Sequence, residues 1–119
     1  VILFDSHDRP SHRPGEHEVI VPPRLESKTA LLEFLRVGLR FPDYFGANWD
    51  ALDECIRDVA EVGTEKFALV HHDLPLESDP ASQRIYLDIV GQAARHSTKL
   101  DAVFPEVLRE RVTTALSRS

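Results

Sequence analysis

The sequence has little with which to build covalent cross-links or a membrane anchor. Cys55 is its only cysteine, which excludes an intramolecular disulfide. No apolar run is long enough to span a bilayer, and no secretory leader pattern is present. With the lone thiol, this gives the expectation of a cytoplasmic protein with no membrane partner. Methionine is absent, including at the start, which is consistent with trimming of the N-terminus. There is no internal repeat and no metal-ligand spacing of the HExxH kind, so the expectation is a protein without cofactor, metal or catalytic residues. Apolar residues make up 42% of 119 positions, enough to bury one core in one domain.

Acid is present, and it is concentrated. The formal net charge is -6, and residues 43–61 hold Asp43, Asp50, Asp53, Glu54, Asp58 and Glu61 against Arg57 alone, a balance of -5. Such a field repels nucleic acid and attracts a basic protein, so direct nucleic-acid binding is not expected. Asn48 is a good N-cap, and Trp49, Leu52, Ile56 and Val59 recur at helical spacing, which predicts a helix from about Trp49 to about Val62. Asp50, Glu54 and Asp58 are spaced four apart and line one stripe of that helix, with Asp53 beside them. Each like-charge pair at that spacing costs about 0.2 to 0.5 kcal/mol, partly recovered by the first-turn carboxylates at the helix dipole. Only Asp53 with Arg57 looks favourably paired. Helix stability does not call for this arrangement. It reads either as a solvated acidic face or as a surface made for a cationic cleft.

The preceding loop supports the second reading, because Tyr44 and Phe45 lead into Gly46 at a tight turn, and tyrosine often anchors interfaces. Cys55 falls near the apolar side of the helix and reads as a packing residue rather than a nucleophile.

The remaining elements alternate. The opening VILFDS reads as a short strand, followed by HDRPSHRPGEHE as loop or linker. His7, His12 and His17 recur there every five residues, a spacing that fits no helix or strand face, so solvated histidines are expected rather than a metal site. Glu18 to Val21 is a predicted strand ended by Pro22 and Pro23. Ser27 caps a predicted helix from about Lys28 to Leu39 that Gly38 and Pro42 help to end. Lys66 to His71 is the best central-strand candidate. A helix from Ala81 or Ser82 to about His96 follows, with Ile85, Leu87, Ile89 and Val90 on its apolar side. Leu100 to Phe104 is the next strand, and Pro105 opens a closing helix with Val107, Leu108, Val112 and Leu116 buried. This order predicts an α/β fold with a small three-stranded parallel sheet packed with helices.

The segment FPDYFGANWDALDEC resembles the characteristic stretch of the barstar-like ribonuclease inhibitors. The element order agrees from about Glu18 to Phe104. The resemblance implies a barstar-like domain over 18–119, with an N-terminal extension, 1–17, and an extra C-terminal helix. It also implies an inhibitor whose acidic helix and loop plug the active site of a basic secreted ribonuclease or toxin nuclease, carboxylates standing where RNA phosphate binds. The matched positions are Tyr44, Gly46, Asn48, Asp50 and Glu54. Tyr44 would be the aromatic contact, Gly46 would let the loop backbone approach the enzyme, and Asp50 and Glu54 would mimic phosphate. Trp49, Asp53 and Asp58 join this partner-binding set as neighbours on the same surface. In the family's pattern a shorter Asp stands at the position of Glu54, an aromatic at Asp53 and an aliphatic residue at Trp49, which is then a core anchor or an interface aromatic. The family's further acidic contact from a later helix has no counterpart in IVGQAARH.

Two other readings compete. An interaction or immunity domain on the same scaffold would neutralise a non-ribonuclease toxin or another basic protein. A metal-dependent hydrolase would use His71, His72 and Asp73 at the end of the central strand, with His96 approaching. However, adjacent strand residues point to opposite faces, which weighs against a shared ion.

Overall fold

Short apolar runs become strands wherever four to six residues stand between turn signals, and helical crossovers bring these strands side by side. The structure, a computed structural model, describes residues 1–5, 16–42 and 46–117. Its strands are β1 (Ile2–Asp5), β2 (Glu16–Val21), β3 (Lys66–His71) and β4 (Leu100–Pro105). They form one parallel sheet in the order β1-β4-β3-β2. The sheet therefore has four strands, not the expected three. The fourth is β1, with Ile2 and Phe4 in register with Ala102 and Phe104. Its place in the sheet depends on pairing with β4 near the far end of the chain, which no local pattern encodes. β2 begins at Glu16, so His17 lies in a strand rather than in the loop predicted for it, its ring centroid 5.3 Å from that of Phe67. His7 and His12 lie outside the described residues.

The helices are α1 (Lys28–Gly38), α2 (Trp49–Glu61), α3 (Pro80–Ala94) and α4 (Arg109–Ser117). Ser27 caps α1, its Oγ accepting from the Ala30 N–H at 3.2 Å. Asp79 caps α3, which starts one residue earlier than expected because Pro80 suits a first helical position. A single 3-10 turn, Glu106–Leu108, precedes α4. Its tighter winding moves the phase of the segment, and Val107, expected in the core, is 89% exposed. Ile85 is also exposed, whereas Leu87, Ile89 and Val90 are buried as expected.

Val19, Val21, Phe67, Leu69, Leu100, Ala102 and Phe104 alternate onto one face of the sheet. They form a single cluster with Leu31, Leu32 and Leu35 of α1, Leu52 and Ile56 of α2, Leu87 and Val90 of α3, and Val112 of α4. Two glycines permit close approach. A β-carbon at Gly38 would lie 2.6 Å from Val19 Cγ1, and one at Gly91 would collide with Leu116 of α4.

One polar pair sits inside this core. His71 Nδ1 lies 3.0 Å from the Val103 carbonyl, which only accepts, so Nδ1 carries the proton. Nε2 then accepts from the Tyr86 hydroxyl at 2.6 Å, and the ring stacks on Phe104 at 4.3 Å. Burial pushes the His71 pKa down to about 4, against a smaller raising effect of the Val103 hydrogen bond. Burial also pushes the Tyr86 phenol up.

Candidate functional site

The acidic helix begins at a strained turn. Ala47 has φ of 50°, a left-handed conformation that costs a non-glycine residue about 1 kcal/mol, so the unusual backbone falls one residue after Gly46. Asn48 then takes an extended conformation and caps α2, its side-chain oxygen accepting from the Ala51 N–H at 2.8 Å. Its amide nitrogen donates back to the Gly46 carbonyl at 3.3 Å, which ties the turn to the cap. At the far end the Ser97 hydroxyl donates to the Ala60 carbonyl at 2.7 Å and accepts from the Lys99 and Leu100 N–H groups. The last turn of α2 is thus fastened to the start of β4.

Leu52, Cys55, Ile56 and Ala60 hold one face of α2 in the core. Cys55 is buried, and its thiol is pushed up by burial and then by the carboxylates of Glu54 and Asp58, so it is a packing residue and a poor nucleophile. Trp49 is half-buried and packs against the core cluster, with Lys28 Nζ 5.2 Å from its ring centroid.

The opposite face carries the charge. Asp50, Glu54 and Asp58 are exposed, and none has an ion-pair partner among the described residues. Arg57 is spaced to reach Asp53, Glu54 or Glu61, and it takes Asp53, with Nε at 3.2 Å from Oδ1 and Nη2 at 2.9 Å from Oδ2. No basic residue occupies the last turn of α2. The resulting surface is a row of solvated carboxylates on a helix capped at its start and tied to the turn before β4 at its end, where the carboxylates can pair with external cations.

Of the residues singled out in the sequence, Gly46, Asn48, Trp49, Asp50, Asp53, Glu54 and Asp58 lie on this one turn and helix. Tyr44 lies outside the described residues, as do Asp43 and Phe45. The sequence reading missed three contributors. Lys28 reaches Trp49 from another helix and Ser97 from a distant turn, so neither leaves a local signal. Ala47 was masked by the neighbouring glycine.

The rival cluster at the end of β3 does not assemble. Both nitrogens of His71 are engaged inside the core, His72 is exposed, and Asp73 Oδ2 accepts from the Arg24 N–H at 2.9 Å. His96 is exposed beyond the end of α3. Among the described residues no three His, Cys, Asp or Glu side chains are grouped to hold a metal ion.

The model of the family Barstar (barnase inhibitor) matches residues 19–109. The chain belongs to the Barstar family. The matched span includes all of α2 and runs from the middle of β2 to the first residue of α4. No curated protein matches the chain. Barstar family members are inhibitors rather than enzymes, and membership places the chain among barnase-type inhibitors and related interaction domains. Among the described residues no helix is long and apolar enough to cross a membrane.

Proposed function

We propose that this chain inhibits a basic microbial ribonuclease by seating α2 and the loop before it in the nuclease's active site. Asp50 and Glu54 take the places of RNA phosphates, with Asn48, Gly46, Trp49 and Asp58 around them and Tyr44 as an aromatic contact. The observation that supports this reading is that Asp50 and Glu54 are exposed and free of ion pairs among the described residues, on the one helix where the chain concentrates its acid. Long-range attraction would bring a cationic cleft onto this ridge, and desolvated pairs with its Arg, Lys or His groups would hold it. Inhibition then comes from occupying the cleft. We also propose that residues 18–119 form a barstar-like unit whose sheet the preceding segment, 1–17, extends through β1 and the start of β2, and that the protein acts in the cytoplasm as an antitoxin.

The test is RNA cleavage by barnase with the chain added in increasing ratio. Cleavage should fall to zero near equimolar protein, and full activity at a large excess would rule out a barnase-type target. A second reading is favoured by one feature: Glu54 and the Asp53–Arg57 pair stand where the family carries a shorter carboxylate and an aromatic. That difference suits another basic partner, such as a toxin that is not a ribonuclease. Capture on the immobilised chain, followed by an RNA-cleavage assay of the captured protein, separates the two.

A further inference from the structure

We infer that Asp53 is a positioning residue, which parks the Arg57 guanidinium away from Glu54 and thereby keeps the Glu54 carboxylate free for a partner. The inference rests on the ridge reading above and assigns Asp53 a role other than contact. Arg57 is the lone cation of the acidic segment, and it stands four residues after Asp53, three after Glu54 and four before Glu61, all within reach on a helix surface. The structure resolves this three-way competition in favour of Asp53, through both Nε and Nη2, at 3.2 and 2.9 Å. A carboxylate four residues before its cation is the more favourable orientation, and two parallel hydrogen bonds fix the plane of the guanidinium. Glu54 is left exposed and unpaired among the described residues. Without Asp53, the same guanidinium would turn to Glu54. It would then screen the charge meant for the partner's cation and set a positive group against a positive cleft.

This predicts coupling between two residues on one surface. Barnase serves as the probe, and dissociation constants are measured for the parent chain, Asp53→Asn, Arg57→Ala, the double variant and Glu54→Gln. Asp53→Asn should weaken binding by about twofold to fivefold, the range of a competing surface ion pair. In the Arg57→Ala background, Asp53→Asn should have no effect. An equal loss in both backgrounds would make Asp53 a direct contact, and no loss in either would show that no carboxylate is being protected; each overturns the inference while leaving the ridge reading intact. An unchanged constant for Glu54→Gln would instead remove the ridge reading and the inference with it. A readout without partner runs alongside, the side-chain carboxyl NMR resonance of Glu54 in the free chain. It should move in Asp53→Asn and return in the double variant, and a resonance unmoved by Asp53→Asn overturns the inference even if barnase is not bound. Melting temperatures should stay close across the set, since the pair is solvent-exposed.

Discussion

Four carboxylates elsewhere on the described surface are each held by an arginine, whereas most of those on α2 are not. Arg36 holds Glu33 at 2.6 Å, Arg40 holds Glu65 at 2.7 Å, Arg109 holds Glu106 at 2.7 Å and Arg111 holds Glu77 at 2.8 Å. The hydrogen bonds from Arg36 and Arg109 pull Glu33 and Glu106 below the usual carboxylate range. On α2 one carboxylate is so matched, and Asp50, Glu54, Asp58 and Glu61 are left in water. The chain has arginines to spend and places a single one on this helix. A fold selected for stability alone has no reason to stack like charges at four-residue spacing. Exposed, unpaired carboxylates in line on a helix can pair with the cations of a partner.

The contrast is broken most directly at Glu54. Glu54→Ala should weaken nuclease binding by about 2 to 5 kcal/mol, through loss of one member of a desolvated pair. Glu61→Ala, at the last residue of α2, should weaken it less, and equal inhibition constants for the two variants would dissolve the distinction. Acid should act on a different region, the core. His71 is buried neutral, with its pKa pushed from 6.5 to about 4, so the folded state binds the proton less readily than the unfolded chain. Its contribution is complete above the unfolded value of 6.5 and is lost as the pH falls through that value toward about 4. The loss amounts to about 3 kcal/mol, measurable by denaturant titration from pH 7 to 4. Replacement of His71 by Phe should flatten that dependence. Gly91→Ala should cost about 1 to 3 kcal/mol by forcing Leu116 and α4 off α3, with nuclease affinity retained. Smallest of all, Glu77→Gln should cost at most about 1 kcal/mol, because its pair with Arg111 is exposed. A larger loss there would mean that the matched pairs carry stability and would blur the comparison with α2.

Local chemistry made most elements legible. Ser27 and Asn48 announced two helices because a cap is a short-range device, and Lys66 to His71 was bounded by turn signals on both sides. The acidic stripe was readable for the same reason, since helical spacing alone puts Asp50, Glu54 and Asp58 in line. Features that depend on distant partners stayed hidden. β1 was readable as a short strand, but its place in the sheet depends on β4, and Val107 is exposed because a 3-10 turn intervenes before α4. Arg57 had three acidic neighbours at plausible spacing. The choice of Asp53 was favoured by orientation, but that Glu54 is left unpaired emerges only from the side-chain geometry.

The pairing of β1 with β4 has a practical consequence. A fragment cut to the family-matched span, 19–109, would remove β1, the first half of β2 and nearly all of α4. The backbone N–H and C=O groups of β4 that now bond to β1 would face solvent as a bare seam, open to the next molecule that offers a strand. Trimming by homology would therefore leave a fragment prone to self-association, and binding experiments call for a chain that keeps β1 (Ile2–Asp5) and the closing helix.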